Sequence, residues 1–356
     1  MRINVLSPGF TSSNGTAFLF PLVVHRGVLA EHGIDVSIVS RSDSNLFDCD
    51  VLAVDSKEFR NEWGEDPAKV PGLLTSYKSR VNKLIWFDTT DSSGTLQSGV
   101  LPIVDKYLKA QLLVDRGLYT REIYGGRLHS DFYHERAGIS DEQPDSINSR
   151  IEPEYLTKLG PSWNSGLADY SLFGPWKASL YKKTGWKRFL KLPHPTRSSG
   201  SGRSRDVSAR FGISYNRKTV RYQREQMASL LGDKVPTKKL GRRGYMKELQ
   251  DSRIVVSPFG WGEITLKDFE VFLTGGLLLK PNMGHMETWP NFYEDERTYA
   301  SHAWDLSDLV QRIDDLLSDH ILRSDIAAEG QVRYAKYTSG PDSGALFAKH
   351  LKNVIE

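Results

Sequence analysis

Residues 253–281, RIVVSPFGWGEITLKDFEVFLTGGLLLKP, constrain the fold of this chain more than any other stretch. An apolar run (RIVVS) passes into a glycine-containing loop (PFGWG). The loop opens onto a helix-like segment, and a second apolar run (LLLK) follows. Strand, loop, helix and strand in that order make a βαβ unit, whose two strands lie parallel in one sheet. Gly260 and Gly262 carry no Cβ, so the backbone can bend sharply and a ligand can approach it closely. Unpaired N–H groups at the start of the following helix carry partial positive charge and can hold a diphosphate. With the helix read over 264–274, Glu263 stands at its start and Glu270 seven positions on. Two turns separate them, so both carboxylates share one face, about 10 Å apart along the axis. A structural turn bearing two solvated glutamates is the plainer reading of these residues taken alone.

The rest of the chain repeats the pattern. Strands are expected at 2–7, 34–39, 51–54 and 83–87, with a helix from Ala17 to Glu31 closed by Gly33 and helix-like material over 100–109. A second series follows residues 195–204, PTRSSGSGRS, the best linker candidate. It comprises a strand over 205–215, helices over 218–231 and 245–250, the βαβ segment above, and a helix over 306–318. A chain of 356 residues suits two α/β domains better than one core. The expected fold is therefore α/β, with two Rossmann-like doubly wound domains facing across a cleft. The first covers 1–200 and the second 205–330. The tail, 331–356, carries a helix over 343–355 that crosses back to the first domain.

The single cysteine, Cys49, excludes an intramolecular disulfide and a thiolate metal cluster. The run Ala17–Val24 is too short to span a bilayer, and the N-terminus reads as a strand rather than a signal peptide. A cytoplasmic protein is expected. Net charge is only +3, but basic residues crowd 182–210 and 238–243; such patches can attract phosphates, anionic lipid or nucleic acid, peripheral contact with an anionic membrane among them, and solvated loop charge is the plainer reading. No nucleic-acid-binding motif of the usual kinds is present, so nucleic acid is not expected as a partner. The histidines show no metal-binding spacing. Asp48-Cys49-Asp50 matches an Asp-x-Asp metal pattern but precedes a strand and reads as its capped start. No metal and no cofactor are expected.

With Glu263, Glu270, Gly275, Gly276 and Pro281 in place, the segment resembles the group 1 glycosyltransferases of GT-B fold, especially the CgeB-type branch. The likeness covers roughly 205–320. It extends more faintly over 80–135, which looks like the first-domain segment of bacterial surface-polysaccharide transferases. One departure is that six residues, not the family's seven, separate the two glutamates. The resemblance implies transfer of a sugar from a nucleotide-sugar donor to a saccharide or lipid-linked acceptor, without metal and with retention of configuration. It implies that Gly260, Gly262, Glu263, Ile264, Thr265 and Glu270 meet the donor, Glu263 at the sugar and Glu270 at the ribose. Arg217 and Arg221, ahead of Arg210, would offset charge on the departing diphosphate, and Leu240 would lie near the nucleobase.

Acceptor-side candidates come from loops that follow strands, where doubly wound sheets bind ligands. Asp88 and Asp91 in FDTTDSSG offer a general base or a hydroxyl-binding group, although turn chemistry also explains them. Gly15 and Thr16 follow the first strand, and His285 follows a late one. Two other classes fit the same residues. A sugar-nucleotide epimerase of this fold would alter the donor without an acceptor, and a glycan-binding module would bind without a nucleotide.

Overall fold

The computed structural model describes residues 1–66, 68–142 and 150–356. Its strands are β1 (Arg2–Leu6), β2 (Asp35–Val39), β3 (Val51–Asp55), β4 (Lys83–Asp88), β5 (Lys106–Lys109), β6 (Leu112–Leu113), β7 (Leu159–Pro161), β8 (Arg205–Ser208), β9 (Ser252–Val256), β10 (Leu277–Pro281), β11 (Met286–Glu287) and β12 (Ala300–His302). Its helices are α1 (Ser13–Val24), α2 (Arg26–Glu31), α3 (Arg60–Glu65), α4 (Lys69–Lys78), α5 (Leu128–Ala137), α6 (Gly174–Thr184), α7 (Lys218–Leu231), α8 (Arg242–Asp251), α9 (Leu266–Thr274), α10 (Leu309–Ser318), α11 (His320–Thr338) and α12 (Ser343–Ile355).

Two parallel sheets result, ordered β2-β1-β3-β4-β5-β7 and β12-β10-β9-β8. Both are covered on both faces, as near-continuous apolar strands require. In the first sheet Val5, Ala53 and Ile85 face α1 and α12, while Leu52, Val54 and Trp86 face α4. In the second, Val255 and Leu278 face α8 and α9, while Ile254, Val256 and Leu279 face α7, α10 and α11. These are two Rossmann-like α/β domains, the GT-B architecture. The order reverses between β1 and β3, so the loops after those strands open at a switch point, where such sheets bind ligands.

The domains are joined by more than the linker. Short strands β6 and β11 pair antiparallel, one from each half. α12 packs on the first domain: Phe347 meets Trp163 edge-on at 5.2 Å, and Lys83 Nζ donates to the Ile355 carbonyl at 2.8 Å. A single apolar cluster runs from Val5 through Trp163 and Phe347 to Phe269 and Tyr334.

Several local readings change. Residues 100–109 are not helical: after a short 3-10 turn the chain becomes β5, whose buried Tyr107 and Leu108 satisfy opposite sheet faces. The first helix starts at Ser13, because the Ser12 side chain accepts from the Gly15 N–H, and it is interrupted at His25. The strand expected over 205–215 ends at Ser208. The helix expected from 264 starts at Leu266, where Thr265 and Asp268 form a reciprocal capping box.

Candidate functional site

Each sheet carries, at a strand's C-terminal end, a buried lysine paired with a buried aspartate. In the first domain Lys109, at the end of β5, donates to Asp88 Oδ2 at 2.7 Å and to the Thr90 hydroxyl and carbonyl. Asp88 also accepts from Tyr107 Oη at 2.6 Å and from the Thr90 amide and hydroxyl. Burial acts to raise this carboxyl, but Lys109 and these donors outweigh it and hold the group below the usual carboxylate range. Asp88 borders the interdomain cavity, yet its lone pairs are committed, so it is a structural anchor rather than the expected base. Asp91, three residues on, is exposed in the same cavity. Its Oδ1 accepts from Asn14 Nδ2 at 3.0 Å, which ties the loop after β4 to the start of α1.

In the second domain Lys280 pairs with Asp268 Oδ2 at 3.2 Å. Asp268 accepts from Ser257, Thr265 and Tyr293 as well. This network fixes the start of α9 and with it the loop 257–265. The glycines of that loop do different jobs. A Cβ at Gly262 would stand 2.7 Å from the Ser92 backbone nitrogen, so glycine is needed there for the first domain to approach. At Gly260 the nearest atom to such a Cβ is an Arg224 guanidinium nitrogen at 3.6 Å, which is ordinary contact.

Glu263 is fully buried and lies in the loop, not on α9, so it shares no helix face with Glu270. It crosses to the first domain, where Ser93 donates to it from its hydroxyl at 2.7 Å and from its amide at 3.0 Å. His285 Nε2 stands 3.7 Å away and His129 Nδ1 4.0 Å away. Burial acts to raise the Glu263 carboxyl, but His285, His129 and Ser93 outweigh it and hold it far below the usual range. Burial pushes His129 down to about 4. Glu263 thus makes an interdomain contact with Ser93, with His285 of its own domain beside it, and neither lines a described cavity. Glu270 is also buried; it is ion-paired with Arg242 of its own domain and lines none of the described cavities. The expected ribose contact is not preformed there.

Arg221 pairs with Glu225 one turn on at the surface and does not reach the cavity. Arg217 stacks over Trp261, 5.3 Å from its ring, and Arg127 lies near the same ring at 5.2 Å. Arg224 is the residue that reaches the site. Its Nε donates to the Phe259 carbonyl at 2.7 Å and its Nη1 to the Gly212 carbonyl at 2.8 Å. It is buried and lines the cavity, and among the described residues no carboxylate is paired with it. The signal for it was present in the sequence. Val220, Arg224, Met227 and Leu231 fall on the buried stripe of α7, so a cation there faces inward.

The interdomain cavity measures about 400 Å³. The second domain contributes Gly260, Gly262, Ile264, Thr265 and Arg224 to it, and the first contributes Asn14, Asp91 and Gln111. Tyr215, Arg224 and Trp261 also line a more open cavity of about 680 Å³, rimmed by Thr237, Lys238 and Lys239, so the two spaces adjoin. Leu240 is exposed beside that rim. Gly15 is buried in the first turn of α1, and Thr16 lines an adjoining cavity between α1 and α6. Among the described residues no cluster of His, Cys, Asp or Glu could hold a metal ion, and no helix is long and apolar enough to cross a membrane.

No family model and no curated protein matches the sequence. Among solved structures, the chain is similar over 99% of its length to all of Anabaena HepE, in complex with UDP-glucose, at 11% identity and a TM-score of 0.47. It is similar over the whole of both chains to an alpha-glucosyltransferase in complex with UDP-glucose and DNA containing an abasic site, at 11% identity and a TM-score of 0.45. A glycosyltransferase from Rickettsia africae ESF-5 aligns over 99% of both chains at 11% identity and a TM-score of 0.45.

Proposed function

We propose that this protein is a cytoplasmic glycosyltransferase that moves a sugar from a nucleotide-sugar donor to a hydroxyl of a saccharide or lipid-linked acceptor. One observation carries the reading: Arg224, a buried cation with no carboxylate partner among the described residues, lies beside the glycine loop where two adjoining cavities meet. A buried cation without a counter-charge is costly, and a bound anion relieves that cost. A diphosphate at this point would leave the nucleoside in the cavity rimmed by Lys238 and Lys239 and the sugar in the interdomain cavity.

The chemistry then follows. The bond from the sugar's anomeric carbon to the diphosphate oxygen breaks, and a bond to the acceptor oxygen forms. The acceptor proton passes to the departing diphosphate. Arg224 faces the oxygen that gains charge and lowers the barrier electrostatically, the task a metal would otherwise perform. Asp91, exposed across the cavity, accepts a hydrogen bond from a second, non-reacting hydroxyl of the acceptor and so orients it. Metal independence rests on this cation. Retention rests on the likeness of 253–281 to the group 1 transferases, and proton NMR of the product's anomeric centre would read it.

Thermal melts with UDP-, GDP-, dTDP- and CMP-sugars test the proposal. One of them should raise the midpoint of the wild type and raise that of Arg224→Met far less. No stabilisation by any of the four would refute it.

A further inference from the structure

Residues 170–205 contain nine Lys or Arg side chains and no Asp or Glu. The centre of this stretch is α6, in which Gly174 is the only buried residue. A Cβ at Gly174 would fall 2.1 Å from the Asp169 carbonyl oxygen, so the helix start is held tightly while its body lies on the surface. One face of α6, carrying Pro175, Ala178, Ser179 and Lys182, lines a cavity of about 410 Å³ against α1. Trp176, Leu180 and Lys183, spaced i, i+4, i+7, lie together on another face.

Trp176 is 62% exposed, Trp186 54% and Phe173 49%. Of the four most exposed Phe and Trp side chains among the described residues, three therefore fall within fourteen positions, and grouped exposed aromatics mark an interaction surface. Here they are interleaved with Lys182, Lys183, Lys187 and Arg188, all exposed, and Arg188 lies 4.2 Å from the Trp186 ring. Tryptophans with lysines and arginines beside them suit the headgroup level of an anionic bilayer, where the rings anchor and the cations meet acidic lipid.

We propose that the surface from Phe173 to Lys191 docks on an anionic lipid bilayer, with Trp176 and Trp186 as interfacial anchors and the lysines against acidic headgroups. The unbroken positive charge supplies the complementarity. Docking there would bring the cavity between α1 and α6 to the membrane. That cavity shares Ser13, Ala17 and Leu266 with the interdomain cavity, so it offers a lipid-linked acceptor a path to the cleft. Only this last step rests on the transferase reading.

Co-sedimentation of the full chain with vesicles tests the docking. The protein should pellet with phosphatidylglycerol-containing vesicles, much less with pure phosphatidylcholine, and less as salt rises. Trp176→Ala/Trp186→Ala and Lys183→Glu/Lys187→Glu should each weaken binding on the order of ten-fold or more. Lys349→Glu/Lys352→Glu, on exposed positions of α12, should bind as the wild type does. The proposal is overturned by equal binding to neutral and anionic vesicles, by no binding, or by patch variants that bind normally. It is also overturned if a single-stranded oligonucleotide displaces the vesicles, since exposed aromatics among cations also suit bases. Vesicle binding without any nucleotide-sugar binding would leave this inference standing and remove the transferase reading.

Discussion

The two buried lysine–aspartate pairs occupy matching places in the two domains and are built differently. Lys109 makes three hydrogen bonds, to Asp88 and both oxygens of Thr90. Lys280 makes one ion contact with Asp268 and otherwise sits 5.6 Å from the Phe259 ring. Burial accordingly drives the Lys280 ammonium below its ordinary range. Removing a lysine leaves its aspartate in different company too. Asp268 keeps four donors, from Ser257, the Thr265 amide and hydroxyl, and Tyr293, whereas Asp88 keeps three. The first-domain pair is a rigid post beneath the Asp91 loop. The second-domain pair is a looser brace beneath the glycine loop, the side we assign to the donor.

Lys109→Met should therefore be the most damaging change, at about 3–5 kcal/mol by urea unfolding, because it strands a buried carboxylate. Gly262→Ala comes next, at about 1–3 kcal/mol, since the added methyl meets the Ser92 backbone. It should also loosen the domains, seen as a larger radius of gyration in solution scattering. Lys280→Met should cost at most about half as much as Lys109→Met; an equal cost would erase the distinction between post and brace.

Stability should also depend on pH. Buried His129 has its pKa lowered from 6.5 to about 4. Between those values the unfolded chain holds a proton that the folded one does not, so stability falls as pH drops from 6.5 towards 4. His129→Gln should flatten that part of the profile by one proton's worth. An unchanged slope would show that the ring beside Glu263 is already charged in the fold.

The same contrast explains what could be read in the sequence. The βαβ unit over 253–281 was readable because strand, glycine loop and helix follow one another within a single unit, and α7 was bounded correctly at 218–231. β5 was not, because Tyr107 and Leu108 serve opposite faces of a buried strand and leave no alternation to read. The fates of Glu263, Glu270 and Asp88 were settled by partners 170, 28 and 21 residues away, which no local pattern encodes. Arg224 could have been found, since it interrupts an apolar stripe.

The most direct test of the account is calorimetric titration of the wild type and Arg224→Met with the sugar nucleotide that stabilises the protein. The loss of charge-assisted hydrogen bonds to a diphosphate is worth about 2 kcal/mol, or roughly thirty-fold in Kd, with Lys238→Met/Lys239→Met weaker in effect. Equal affinity for the two proteins would place the diphosphate elsewhere and contradict the proposed site.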